Sequence, residues 1–176
     1  MTKESIESLE KHAWPRGERR DIWMIVDAAR DRRIYPMLLG CHLDQTCLYT
    51  NAPAALEGVA PYLVRLDHEY HDTHKLLEHG WDNSWGVMLR CDTRMERLRS
   101  HLRRLLMVHN QAGKRLLFRY YDPRVLRVFL PTCREIELRE VFGPIECFWC
   151  ENESPESMLE FRMQGGKLMR NAVPLV

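Results

Sequence analysis

The chain has 176 residues, of which 45% are hydrophobic and 29% are charged, and its formal net charge at pH 7 is +1. This length and apolar content suit one folded domain with a sizeable core. The sequence has no uninterrupted apolar run of about 18 residues, which excludes a simple membrane-spanning helix, and its charged N-terminus is unlike the apolar centre of a secretory signal. We therefore expect a cytoplasmic protein without a membrane partner, in which the six cysteines stay reduced.

Charge is distributed unevenly along this nearly neutral chain. Residues 90–139 contain 13 Lys/Arg and 5 Asp/Glu, whereas the remainder contains 13 Lys/Arg and 20 Asp/Glu. The first region carries a local excess of positive charge, which favours one basic surface and an acidic partner.

The N-terminal half alternates apolar strand patterns with helical ones. Residues 1–20 are predicted to be a separate segment that forms a short helix or stays partly mobile. The apolar run over 22–26 predicts a strand buried on both faces, and a short helix is expected to begin near Arg33. Further strands are predicted at 46–50 and 62–66.

Two helices are predicted from candidate caps in the middle of the chain. Asp67 is a candidate cap for a helix over 68–79. Thr93 and Glu96 have the spacing of a capping box and predict a long amphipathic helix over 94–109. Its arginines lie mainly outside the apolar stripe and are candidate partner-binding residues: Arg97, Arg99, Arg103 and Arg104.

The stretch LLFRYYDPRVLRVFLP (116–131) has the pattern of a strand, a tight turn and a helix. Residues 116–121 alternate two apolar faces around Arg119, and we predict one of the most buried strands there. Asp122 is a candidate N-cap, and Pro123 suits the first helical position. A buried Arg119 would require a carboxylate partner, either Asp122 or a neighbouring one. We expect a structural role for the motif residues Arg119, Tyr121, Asp122, Pro123 and Arg124.

The C-terminal part is predicted to complete the domain with a β-hairpin. Thr132 and Glu135 form a second candidate capping box, for a helix that ends near Phe142. Residues 164–176 are predicted to be a loosely held tail. The remaining strands are predicted at 85–91, 145–150 and 158–163. Because strand and helix patterns alternate, we predict one α/β domain with a parallel or mixed sheet and a C-terminal hairpin.

No strong catalytic or metal-binding motif occurs in the sequence. HEYHDTH (68–74) contains three histidines, but their spacing fans them around a helix and favours a solvated polar face. Cys147 and Cys150 have redox-motif spacing, yet in a strand they would point to opposite faces. Trp81 lies in a turn-rich stretch and is a candidate exposed contact. We therefore expect no metal, no cofactor and no enzymatic activity.

The motif RYYDPRVLRVFLP (119–131), together with four other blocks, resembles the effector-chaperone domain of bacterial type VI secretion systems. The other blocks are IWMIVDAAR (22–30), APYLVRL (60–66), GWDNSWGVML (80–89) and FGPIECFW (142–149). The resemblance implies a cytoplasmic adaptor over residues 21–163 that binds a cognate secreted effector. It also implies that the adaptor helps to load this effector onto the VgrG/PAAR spike, with neither nucleic acid nor a membrane as partner.

Two alternative functions remain open. Asp27 and Asp122 each follow a predicted strand and could form the carboxylate pair of a small hydrolase, together with one of the histidines. The arginine-rich helix could instead bind nucleic acid phosphates. However, the chain is nearly neutral and this helix lacks an accompanying aromatic stacking platform.

Overall fold

The computed structural model describes residues 2–15, 20–110, 112–154 and 156–175. Its helices are α1 (Lys3–Ala13), α2 (Ile34–Gly40), α3 (Ala54–Glu57), α4 (His71–Gly80), α5 (Met95–Leu105), α6 (Pro123–Phe129) and α7 (Glu135–Phe142), with a 3₁₀ turn at Leu130–Thr132. Its strands are β1 (Ile22–Asp27), β2 (Gln45–Cys47), β3 (Pro61–Leu66), β4 (Gly86–Arg90), β5 (Met107–His109), β6 (Arg115–Leu117), β7 (Cys147–Glu151), β8 (Ser157–Gln164) and β9 (Lys167–Pro174).

Seven of these strands form one sheet in the order β2-β3-β1-β4-β7-β8-β9. The predicted α/β class and the C-terminal hairpin are confirmed. The expectation of parallel or mixed pairing is corrected, because each pairing in the described sheet is antiparallel. The helical crossovers do return the chain to the same direction: β1 and β2 run the same way, and so do β3 and β4. Another strand lies between the members of each such pair, so they never become neighbours.

The strand β1 lies inside the sheet and is buried along its whole length, as its apolar run predicted. Its side chains alternate between two cores on opposite faces of the sheet. Met24 and Val26 join the core that includes residues of α1, α2 and α4. Trp23 and Ile25 join the core that includes residues of α5, α6 and α7. The domain therefore has three layers, with the sheet in the middle.

Both ends of the described chain are packed against this sheet. In the segment predicted as 1–20, α1 is capped by Thr2 and buries Ile6 and Leu9, whereas residues 16–19 lie outside the described residues. The predicted C-terminal tail forms β9, which pairs with β8 along its length. Leu175 follows β9 and is fully buried. The prediction of a loosely held tail is therefore wrong. The sequence did not reveal this strand because an exposed edge strand has no marked apolar period.

The prediction of a deeply buried strand over residues 116–121 is wrong. The strand β6 pairs with β5 in a separate two-stranded hairpin, with Met107 opposite Leu117 and Val108 opposite Leu116. Leu116 and Leu117 are 40% and 45% exposed. The strand β5 also occupies the end of the predicted helix over 94–109, so α5 is shorter than expected.

Tyr120 and Tyr121 are buried, as predicted, but they lie in the turn that leads into α6. The Tyr120 hydroxyl donates to the backbone oxygen of Leu102 on α5 at 2.9 Å. The two rings contact each other edge to face. Their apolar pattern therefore indicated burial correctly, although it did not indicate a strand.

Two of the predicted helix starts lie a few residues too early. The helix α4 begins at His71, and the Asp67 carboxylate accepts from the Glu69 amide at 3.0 Å in the turn before it. The helix α7 has Arg134 as its N-cap residue, and Glu137 accepts from the Arg134 amide at 2.7 Å. The predicted Thr132 and Glu135 capping box is therefore replaced by the pair two residues further on.

The predicted capping box of α5 is also wrong. The N-cap residue is Arg94, and its side chain does not accept a hydrogen bond from the first turn of the helix. By contrast, Asp122 caps α6 by accepting from the Arg124 amide at 3.0 Å, and Pro123 is the first helical residue, as predicted.

Within the described parts of the chain, no helix combines the length and the apolar character needed to cross a membrane.

Candidate functional site

The motif residue Arg119 connects the turn before α6 to the end of β1. Its guanidinium donates to the Asp27 carboxylate, which is 92 residues away in the chain. Asp27 is almost fully buried and also accepts from the Ala29 amide at 3.1 Å. The predicted carboxylate partner of Arg119 is therefore Asp27 and not Asp122, and Arg119 itself is half-buried.

Asp122 has a different arginine partner. Its carboxylate accepts from Arg124 through Nε at 2.9 Å and through Nη2 at 2.6 Å. Burial opposes ionisation of this carboxyl group, but the hydrogen bonds from Arg124 outweigh burial and hold its pKa below the ordinary value. Tyr121 is buried close to Tyr49 and Asp27, and burial raises the pKa of its hydroxyl. Each of these groups is held in place by contacts within the chain.

The alternative of a hydrolase needs a carboxylate that is free to act on a substrate. Asp27 and Asp122 are each engaged by one arginine and by one backbone amide. In the described part of the chain, no histidine makes a hydrogen bond or an ion pair with either carboxylate. The geometry is that of a structural network that ties β1 to the start of α6.

The histidines of residues 68–74 do not converge. Nδ1 of His74 lies 2.6 Å from Oε1 of Glu10 in α1, and His68 packs against the ring of Trp14. Asp72 accepts from the His42 amide at 2.9 Å. Among the described residues, no group of three His, Cys, Asp or Glu side chains is arranged to hold a metal ion.

Cys147 and Cys150 point to opposite faces of β7, as predicted, since they belong to different cores. Both are free thiols. Burial raises the pKa of each thiol to about 12. Because the thiolate is the reactive form, these cysteines act as small apolar residues in the two cores.

Trp81 was predicted to be exposed, and this prediction is wrong. Its side chain is only 2% exposed and lies in the core that contains residues of α1, α2 and α4. The turn that follows it places polar residues at the surface, whereas the indole turns inward. Trp81 is therefore not available for a partner.

The four arginines predicted to bind a partner differ in their surroundings. Arg99 donates to the backbone oxygens of Cys47 at 2.8 Å and Tyr49 at 3.4 Å, so it connects α5 to β2 and the residues after it. Arg104 donates to Nδ1 of His101 at 3.4 Å. In the described residues, neither Arg97 nor Arg103 forms an ion pair with a carboxylate. Arg97, Arg103 and Arg104 therefore remain candidate partner-binding residues, whereas Arg99 holds the fold together.

Two of these arginines border a groove between α5, the β5–β6 hairpin and the segment that leads from β2 to α3. We call it the arginine groove. It encloses about 540 Å³. Its arginines are Arg103, Arg104 and Arg115, and its apolar lining includes Leu48, Pro53, Leu56, Leu106, Met107 and Leu117.

Charge in the arginine groove is of one sign. None of the described residues that line it is an aspartate or a glutamate. Its three arginines form no ion pair with a carboxylate of the described chain. The site therefore presents three unneutralised cations around an apolar floor.

Sequence reasoning identified the arginines of α5 but missed the other walls of the groove. The triplets Met107–His109 and Arg115–Leu117 each contain two apolar residues and flank an N-x-x-G turn, in which Asn110 accepts from the Ala112 and Lys114 amides. A short strand pattern on each side of such a turn is the signal of a hairpin. It was missed because the predicted helix over 94–109 was extended through the first triplet.

Comparison with known proteins gives one family. A comparison with curated proteins found no match, and a comparison with solved structures found none either. The matching family model covers residues 22–140, about two-thirds of the chain, from the first residue of β1 into α7. The chain therefore belongs to the family described as "Domain of unknown function (DUF4123)".

Proposed function

We propose that the chain is a non-enzymatic adaptor that binds a cognate type VI secretion effector in the bacterial cytoplasm and helps to load it onto the VgrG or PAAR protein of the spike. The starting point is the resemblance of its sequence blocks to effector-chaperone domains. Those blocks map mainly onto β1, β3, β4, α6 and β7, which form the centre of the fold. The resemblance therefore supports the fold and the class of function, and the contact surface has to be sought outside the core.

The observation that carries the proposal is the arginine groove. Arginine is enriched in protein interfaces, and apolar residues that lose water on binding supply most of the affinity. The groove offers both kinds of group side by side, with Leu56 and Leu117 each 45% exposed. Such a surface suits a protein partner better than a small polar substrate.

The carboxylates considered for catalysis support the same class of function. An adaptor requires a stable scaffold, and Asp27 and Asp122 both hold elements of that scaffold together. We assign these residues to folding stability, together with Arg119 and Arg124.

The test is co-expression of the chain with a candidate effector encoded beside its gene. We expect a stoichiometric complex in size-exclusion chromatography that persists in the presence of a chelator. Deletion of the adaptor gene should abolish export of that effector without lowering its synthesis. Unchanged export in the deletion strain, or no complex with any effector of the same gene cluster, would contradict the proposal.

Association kinetics provide a second measurement on the same complex. Unneutralised surface charge mainly raises the association rate, and salt screens it over about 8–10 Å. We expect the double reversal Arg103→Glu and Arg104→Glu to slow association more than it accelerates dissociation, with a smaller effect at high salt. The double reversal Lys167→Glu and Arg170→Glu on the distant strand β9 is the matched control, because it changes the net charge by the same amount. Arg99 is unsuitable for this test because its guanidinium holds β2.

A further inference from the structure

We infer that the arginine groove binds an acidic amphipathic segment of the partner protein, in which apolar residues fill the floor and carboxylates pair with the arginines. The inference rests on the proposed function, since it specifies which part of a protein partner this adaptor would take. It concerns a surface that lies largely outside the sequence blocks behind the resemblance.

Exposed aliphatic side chains are concentrated around this one concavity. Leu56 of α3, Met107 of β5 and Leu117 of β6 are each between 36% and 45% exposed and line the same groove. Leu48 and Leu106 lie beneath them and are buried. Side chains from separate elements thus form a floor that an apolar stripe of a helix or an extended segment could cover.

The positive charge of the groove decides which kind of segment fits. Arg103 and Arg104 line the groove from α5, and Arg115 lines it from β6. A basic segment would meet three cations, and a neutral one would leave them unpaired beneath an interface. A carboxylate beside each apolar anchor would neutralise them, and a guanidinium can bind a carboxylate through two parallel hydrogen bonds.

Three separate elements border the concavity, which favours a partner segment over a flat globular surface. They are α5, the β5–β6 hairpin and the residues after β2. The hairpin contributes residues to the groove and pairs with none of the strands of the main sheet. A single helix or strand of a partner can enter such a concavity, whereas a broad surface would touch only its rim.

The experiment measures binding of defined peptides to the intact chain by fluorescence anisotropy. The probe is a fluorescein-labelled peptide with the repeat Glu-Leu-Leu-Glu. The two reference peptides replace either the glutamates by lysine or the leucines by serine. We expect the acidic amphipathic peptide to bind and each reference peptide to bind about tenfold more weakly or less, because each lacks one of the two complementary features.

Groove variants test where the peptide binds. Leu117→Asp and the double variant Arg103→Glu with Arg115→Glu should each weaken binding by about tenfold. The matched controls carry the same changes elsewhere: Leu39→Asp on α2, where the leucine is 68% exposed, and Lys167→Glu with Arg170→Glu on β9. Circular dichroism melting confirms that each variant is folded before its binding is compared.

Any of four results would overturn the inference. The first is no binding of the acidic amphipathic peptide, and the second is equal binding to the groove variants and the wild-type chain. The third is tighter binding of a single-stranded oligonucleotide that competes with the peptide, which would identify a phosphate-binding surface instead. If a co-expressed effector still forms its complex with the groove variants at unchanged affinity, the adaptor function stands and the inference about the groove is wrong.

Discussion

The single carboxylate of Asp122 makes two kinds of contact. Its carboxylate caps α6 by accepting from the Arg124 amide, and it also binds the Arg124 guanidinium. The two contributions differ in weight because the cap is buried, whereas the arginine side chain is half exposed and solvent screens the ion pair.

We predict that Asp122→Ala lowers the free energy of unfolding by about 1–2 kcal/mol, mostly through the lost cap. Arg124→Ala keeps the cap and should cost less than about 1 kcal/mol. Chemical denaturation of both variants measures the two contributions. An unchanged stability of Asp122→Ala, accompanied by loss of partner binding, would instead identify the motif as a direct contact.

Glu151 is a buried carboxyl group whose charge is poorly compensated. It accepts from the Ser84 amide at 2.9 Å, and the Asp82 carboxylate adds repulsion nearby. Burial is the main cause that raises its pKa to about 7, from an ordinary value of 4.5. The folded protein therefore keeps this proton over a pH range in which the unfolded chain has lost it.

The resulting stability change has a definite sign. Protonated Glu151 stabilises the fold fully below pH 4.5, and this contribution is lost as the pH rises through about 7. We predict that the free energy of unfolding of the wild type falls by up to about 3 kcal/mol between these limits because of Glu151. The variant Glu151→Gln should not show this decrease. Urea unfolding of the wild type and the variant across this pH range measures the difference between them. Parallel pH profiles for the two proteins would show that Glu151 titrates normally.

Gly86 allows the strands β1 and β4 to approach each other closely. A Cβ atom at this position would overlap the backbone oxygen of Ile25 and approach the Cα atom of Val26. Both strands lie inside the sheet, so neither backbone can move away without disturbing its other neighbour. The constraint is one of close approach, and it does not depend on an unusual backbone angle.

We predict that Gly86→Ala lowers the free energy of unfolding by about 3 kcal/mol or more, because backbone atoms must separate. Gly40→Ala is the matched control. Gly40 is the last residue of α2 and has open space around its Cα atom, so the same change there should be neutral or stabilising by up to about 1 kcal/mol. Thermal melting of the two variants measures the contrast, and similar melting temperatures would contradict the tight packing at Gly86.

The C-terminal strand β9 connects the end of the described chain to the sheet and the core of the whole domain. It extends the sheet beyond β8, and Leu175 behind it enters the core that also contains residues of α1, α2 and α4. The Leu175 amide donates to the Glu156 backbone oxygen at 2.8 Å. These contacts make the last described residues part of the folded domain.

We predict that Leu175→Ala lowers the free energy of unfolding by about 2–3 kcal/mol through the cavity it creates. Met169→Ala on β9 is the control, and it should have little effect because that side chain is 43% exposed. Denaturant titration measures both. Equal, small effects would show that the C-terminal segment does not contribute to the core.

Local sequence patterns were sufficient where the cause is local. The N-cap of α6 depends on Asp122 and the residues directly after it, and the continuous apolar run of β1 required burial on both faces. The spacing of Cys147 and Cys150 placed them on opposite faces because a strand alternates its side chains at every residue. Such features need no knowledge of distant parts of the chain.

Tertiary contacts decided the features that depend on which surface covers an apolar side chain. Leu116 and Leu117 have the apolar character of a core strand, yet they pair with β5 in a hairpin, and Leu117 lines the arginine groove. Trp81 is buried although its neighbours in sequence are turn residues. Side-chain periodicity states which residues share a face, but it contains no information about what lies against that face. The partner of Arg119 illustrates the same reason, because Asp27 lies 92 residues away and only the folded sheet brings the two together.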